Sequence, residues 1–193
     1  MEYKINSINI VELFEAYRRI LYYFFSFPNS YIGLNDLSES VNMSKTATKT
    51  SVISLSKQGL LKVDQIGKAW RISVKNAKDN LFTKSKISYN LQLVYGSGIV
   101  QAVYNKFSNV KSVILFGSYR WGTDIEDSDI DIAIEINGKE NLKIEKLGKI
   151  SKLGYRKNVP VNLHIFSRDN IDRNLFSNIA NGILLDGFLE VNK

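Results

Sequence analysis

The sequence predicts an α+β chain in two parts, and three observations carry that reading. Helical periodicity followed by a short β-hairpin fills the first third. A buried strand, Ser112-Val-Ile-Leu-Phe116, then runs into Gly117-Ser118. After ten further residues a second apolar strand carries Asp129 and Asp131. Side chains on a strand alternate faces, so these two carboxylates point the same way. Two carboxylates on one face, near a tight glycine turn, suit a divalent metal bound to a polyphosphate.

Composition narrows the classes. With 193 residues the chain is one large domain or two small ones. Its 44% apolar content is enough for packed cores. No apolar run reaches membrane-spanning length: Ile20 to Phe27 is short and follows Arg18-Arg19, so no membrane partner is expected. The opening Met1-Glu-Tyr-Lys lacks the charged start of a signal peptide. The absence of cysteine excludes disulfides and thiolate metal sites, and together these features lead to a cytoplasmic expectation. A single histidine argues against a His-rich zinc site or a His-dependent triad. The net charge of +7 favours polyanions. It is concentrated early: residues 1–78 hold 11 basic against 6 acidic side chains, residues 79–193 hold 15 against 13.

The first part reads as follows. Ile10, Leu13, Phe14, Tyr17, Leu21 and Phe24 fall at helical spacing, predicting a helix over 8–27 that Pro28 ends. Tyr22, Tyr23, Phe25 and Phe27 lie off that stripe; core burial is their first reading, docking on the second part or on another subunit the alternative. A short helix is expected over 35–41. A third runs from a Ser44 cap through Lys57, where Gly59 stops it. Leu60–Asp64 and Ala69–Val74 form a hairpin around Gln65-Ile-Gly67-Lys68. This order, with Leu34-Asn-Asp-Leu37, Val41-Asn-Met-Ser44, Ser54-Leu55 and Lys57-Gln-Gly-Leu60, resembles the winged helix-turn-helix family. In that resemblance Thr48, Val52 and Leu55 face the core, and Lys45, Thr46, Lys49 and Thr50 lie on the face that enters the DNA major groove. Lys68 and Arg71, on the wing, meet backbone phosphates. The reading face holds no arginine, and Thr48 and Ser51 are more polar than the aliphatic residues usual there. Double-stranded DNA is the expected partner, with protein docking or dimerisation as the other use of such modules. Symmetric half-sites need two-fold proteins, which leads to an expected homodimer.

Residues 79–97 are expected to form a helical connector, leaving 98–193 as the second domain, with a further helix over Ile99–Phe107. That domain's core reads Phe116-Gly117-Ser118, then Gly122, then Asp127-Ser-Asp129-Ile-Asp131-Ile. The pattern resembles the nucleotidyltransferase superfamily, in particular its minimal domain, which implies an α/β domain with a mixed sheet. Gly-Ser and Asp-x-Asp are each weak alone; their joint spacing, each on the expected element, is a strong signal. The resemblance implies that Gly117 lets the backbone approach a triphosphate and that Ser118 donates to its oxygens. It also makes Asp129 and Asp131 the catalytic pair that holds Mg²⁺ or Mn²⁺. A helix near 140–153, a strand at Val159–Phe166, a helix near 169–181 and a closing Gly182-Ile-Leu-Leu185 complete the expectation.

One position departs from the family pattern. The family carries a third carboxylate on a later strand, and here Asn162 stands in its place. An amide can coordinate metal through its oxygen but brings no charge and cannot act as a base. Glu135 shares the carboxylate face but lies about 13 Å beyond Asp131 on an extended strand, too far to share a metal. Asp124, Glu126 and Asp127 read first as solvating the loop, and His164 as a structural histidine beside Asn162. Lys139, Lys143, Lys146, Lys149 and Lys152, interleaved with Leu142, Ile150 and Leu153, read as an amphipathic basic helix. Its lysine stripe is a solvated face, or alternatively a strip for RNA or another acceptor. Arg156 and Lys157 are placed to meet substrate phosphate.

The resemblances together imply Mg²⁺-dependent transfer of a nucleoside monophosphate from an NTP to a hydroxyl, on a protein or RNA acceptor, beside a DNA-binding module. The competing class is a transcriptional regulator whose degenerate domain only binds nucleotide. Minimal nucleotidyltransferases also resemble the antitoxin partners of small helical toxins.

Overall fold

Residues 15–138 and 141–190 are described by a computed structural model. Two units divide the chain. One comprises the described residues up to Phe25 with Ser30–Lys75; the other comprises Ser26–Asn29 and the described residues from Asn76 onward.

The first unit contains α1 (Glu15–Ser26), β1 (Tyr31–Ile32), α2 (Leu34–Ser40), α3 (Lys45–Lys57), β2 (Leu61–Ile66) and β3 (Ala69–Val74). The part of the expected first helix over 8–14 lies outside the described residues. Ser44 caps α3, its hydroxyl accepting from the Ala47 N–H at 3.2 Å. Gly59, at φ +80°, follows α3 and turns the chain towards β2. Ile20, Leu21, Phe24, Leu37, Val52, Leu55 and Ile72 form the core. Thr48 is buried among them and donates its hydroxyl to the Ser44 carbonyl at 3.0 Å, which satisfies the polar atom locally. The sheet runs β1-β3-β2. The sequence reading lacked β1: two residues are too short for an alternating pattern, and their pairing with Ile72 and Ser73 is set across the unit.

The second unit begins with α4 (Asn80–Gly96) and α5 (Ile99–Lys106). The strand β4 (Val110–Phe116) leads into the short helix α6 (Gly117–Trp121), and β5 (Ile130–Ile136) follows. Then come β6 (Lys143–Leu153), β7 (Arg156–Phe166), α7 (Arg173–Ala180) and β8 (Ile183–Gly187). The strands form a mixed sheet of order β6-β7-β5-β4-β8, with β5 and β7 parallel and the other neighbours antiparallel. Period-two alternation sorts its faces. Val113, Leu115, Ile130, Ile132, Ile134, Val161 and Leu163 pack with Val94, Ile99 and Val103 of the helices on one side. Ile114, Phe116, Ala133 and Phe166 turn to the other, where Ile179 of α7 covers them. Asp131 belongs to this second face.

The expected helix near 140–153 is a strand instead. An extra residue near Leu147 shifts the β6–β7 register: Lys146 pairs with Asn162, but Gly148 pairs with Val161. A period-two strand with one inserted residue spaces like side chains three apart. Lys146 and Lys149, or Leu147 and Ile150, therefore imitate a helical stripe.

Helix α4 grips the chain after β4 from within. Lys86 is fully buried, and its ammonium donates to the Asp124 carbonyl at 2.5 Å and lies 3.0 Å from the Asp124 carboxylate. Asn90 donates to Asp124 Oδ1 at 2.7 Å and to the Tyr119 carbonyl at 3.0 Å. Burial pushes the Lys86 pKa down, and the Asp124 charge pulls it back up. Gly122, at φ +67°, sits where a Cβ would come 2.3 Å from the Thr83 carbonyl oxygen, so α4 and the turn meet at backbone contact. Asp124, expected to solvate its loop, is thus a buried anchor. Lys86→Ala leaves that carboxylate unpaired and should cost about 3–5 kcal/mol, read as a lower urea midpoint, whereas Lys86→Met combined with Asp124→Leu should recover much of the loss.

Candidate nucleotide and metal site

Three chain segments converge where β4 and β5 lie side by side. Phe116 pairs with Asp131, so the turn that follows β4 opens over that carboxylate. Gly117 takes φ +68°, and a Cβ there would come 2.7 Å from Asp131 Oδ2. Glycine is required on both counts, backbone conformation and space. Ser118 follows at the start of α6, and its carbonyl accepts from the Thr123 N–H at 3.0 Å, closing the turn.

Asp129, Asp131 and Asn162 meet directly. The Asn162 amide nitrogen donates to Asp129 Oδ2 and reaches Asp131 Oδ1 at 3.4 Å. The parallel register places Asn162 beside Asp131, so the strand face read from the sequence is the one observed. The nitrogen, rather than the oxygen, faces the carboxylates; here Asn162 bridges them as a donor. His164 lies two residues on, with Nε2 3.4 Å from Asp131 Oδ1 and its ring edge-to-face on Phe116 at 4.8 Å between centroids. Its Nδ1 is buried without a hydrogen-bond partner among the described residues.

A second layer supports the first. Arg156, expected to meet substrate, is buried instead. It donates to the Tyr119 hydroxyl at 2.6 Å and to the Ser128 carbonyl, the residues that follow Ser118 and precede Asp129. Burial pushes the Tyr119 phenol pKa up, despite the Arg156 charge. Glu135 is also buried, clasped by Arg168 through contacts of 3.2 and 2.9 Å, and takes no part in the site. Glu126 accepts from Asn29 at 2.9 and 3.0 Å, while Asp127 is exposed. Arg156 was expected at the substrate rather than behind it, and Lys86 and Asn90 escaped the sequence reading of the site. Their one signal was a lysine and an asparagine four apart on a helix face that otherwise buries Phe82 and Tyr89.

The donor set can be tested against magnesium. Among the described residues no group of three His, Asp or Glu side chains converges as a cage. Two hard carboxylates beside an open glycine turn remain. That suits Mg²⁺, which binds through one or two carboxylates and completes its octahedron with water and substrate phosphates. Asp129 and Asp131 fit one such ion.

In the first unit, Lys45, Thr46, Lys49 and Thr50 are all exposed on α3, and Thr48, Val52 and Leu55 are buried opposite. A groove of about 590 Å³ lies between α3 and the β2–β3 hairpin, lined by Asp36, Lys45, Lys49, Lys68 and Trp70 among others. The Lys49 ammonium sits 5.5 Å from the Trp70 ring, and the Arg71 guanidinium stacks on Tyr31 at 3.7 Å.

Residues 97–184 match the family model described as Nucleotidyltransferase domain. That segment contains β4, the Gly117-Ser118 turn, both aspartates and Asn162, so this part of the chain is similar to a nucleotidyltransferase domain. No curated protein matches the chain. No helix is long and apolar enough to cross a membrane among the described residues.

Gly117→Ala should strain the backbone and push the Asp131 carboxylate aside. The expected result is loss of Mn²⁺-dependent nucleotide binding by calorimetry, with an unfolding midpoint lowered by the equivalent of about 1–3 kcal/mol.

Proposed function

We propose that the chain transfers a nucleoside monophosphate from an NTP to a hydroxyl acceptor, releasing pyrophosphate, in a Mg²⁺- or Mn²⁺-dependent reaction. The observation that carries this reading is the contact of Gly117 with the Asp131 carboxylate, beside Asp129. The turn brings phosphate-binding backbone and metal-binding side chains to one point. Gly117 leaves room for the Asp131 carboxylate against the turn, and Ser118 offers its hydroxyl and N–H to phosphate oxygens. Asp129 and Asp131 would hold the ion, and the Asn162 amide fixes their separation. Bound Mg²⁺ would neutralise phosphate charge and acidify the attacking hydroxyl. The protein's share is positioning, since a loose phosphoryl-transfer transition state asks for little else.

Labelled ATP, GTP, CTP and UTP with Mg²⁺ or Mn²⁺ test the reaction. Transfer should fall at least about a hundredfold in Asp131→Ala, a loss of the size seen when one electrostatic element of a site is removed. Asn162→Asp should tighten Mn²⁺ binding by adding a third charge; unchanged affinity would show that this position does not face the ion. A second reading, nucleotide sensing without transfer, draws on Asn162, whose neutral amide leaves the site with two charges instead of three. Binding of NTP and Mn²⁺ without product would select it.

The first unit we read as a winged helix-turn-helix that binds double-stranded DNA, working as a dimer on paired half-sites. The exposed Lys45, Thr46, Lys49 and Thr50, with Lys68 and Arg71 on the wing, support this. Lys45→Ala with Lys49→Ala should lower duplex affinity and reduce the slope of log K against log salt by about 2, measured by fluorescence anisotropy at several salt concentrations. Binding that keeps its full slope would remove α3 from the interface.

A further inference from the structure

Nucleotidyl transfer proceeds with the attacking and leaving oxygens roughly in line through phosphorus. The sheet order gives that line a direction. The Gly117-Ser118 turn, which would hold the leaving pyrophosphate, closes the end of β4; the carboxylates stand on and just before β5, and β7 and then β6 lie on the far side. The acceptor hydroxyl therefore arrives over β7 and β6.

The side chains on that approach are set by register. Directly paired residues share a face, with Cβ atoms about 5 Å apart. Asn162 pairs with Lys146, Pro160 with Lys149, and His164 with Ile144. Lys146 and Lys149 therefore stand on the carboxylate face, about 10 Å from β5 across two strand spacings. Both are exposed, and neither enters an ion pair among the described residues, unlike Lys143, which pairs with Glu145. Lysines three apart on a regular strand would point to opposite faces. The extra residue near Leu147 and Gly148 puts these two on one face and leaves Leu147 and Ile150 packed on the core. Lysines that merely guard an edge strand against aggregation need no common face. Ile144 beside them is 60% exposed, an apolar surface of the kind a nucleobase covers.

We infer that the acceptor is a single-stranded nucleic acid ending in a free hydroxyl, whose phosphates lie along β6 on Lys146 and Lys149. This rests on the nucleotidyl-transfer reading of the same site. The polyanion fits two ammonium groups that have no ion-pair partner among the described residues, and the sheet order aims its end at Asp129 and Asp131.

The test compares three full-length proteins: the unmodified chain, Lys146→Ala/Lys149→Ala, and the charge-matched Lys143→Ala/Lys152→Ala, whose lysines sit at the other strand parity. Affinity for a labelled single-stranded RNA with a 3′ hydroxyl is measured over a salt series, and Mn²⁺–NTP binding in parallel. The first variant should lose about tenfold in RNA affinity and about 1.4 in salt slope, for two phosphate contacts on a single strand. Its nucleotide affinity should not change, and the control should behave like the unmodified chain. Equal RNA binding by the two variants overturns the inference, as it would if the acceptor were a protein or the lysines served only solubility. An unmodified chain that binds RNA through β6 but no nucleotide would instead sink the transfer reading and leave β6 a nucleic-acid surface.

Discussion

A lysine ammonium sealed inside the second unit is the interaction on which the site depends. Lys86 holds both the carbonyl and the carboxylate of Asp124, and Asn90, one helical turn on, holds Asp124 and the Tyr119 carbonyl. The chain between β4 and β5 would otherwise be a polar loop with many conformations. Pinned to α4 at Tyr119 and Asp124, it has one, and that one lays Gly117 against Asp131. A buried ion pair is a costly way to gain stability, because both charges must leave water. What it supplies here is a unique position for the loop, and Arg156 adds the same service from β7 by joining Tyr119 to Ser128.

How much of this could be read from the sequence follows from the range of each signal. The face of Asp131 was legible because alternation on a strand is a two-residue rule, while Asp129, one residue before β5, meets it through the Asn162 amide. Gly117 was legible because a glycine between an apolar strand and a serine leaves few explanations. Ser44 and Gly59 were legible as local stop and start signals around α3. The strand β6 was not, since one inserted residue converts its alternation into apparent helical spacing. Nor was the burial of Lys86, Asn90 and Arg156, whose partners lie 28 to 38 residues away. Their residue types, read alone, belong on a surface, and only the fold shows them buried.

Asn162 links the two sides of the site. As a donor to both aspartates it ties the two carboxylates to one amide. A third carboxylate would repel them until a cation arrived. The amide instead links the two carboxylates, and it would offer a bound cation one negative charge fewer than a third carboxylate.

Two left-handed glycines, Gly117 and Gly122, bound the single turn of α6, one fitted against a carboxylate and the other against a helix backbone. Neither end of that turn has slack. A ligand arriving there would meet backbone amides whose orientation is already fixed, so little entropy would remain to be lost on capture. Discrimination among ligands must then come from whatever protrudes around this rigid seat, where a side chain can change without disturbing it.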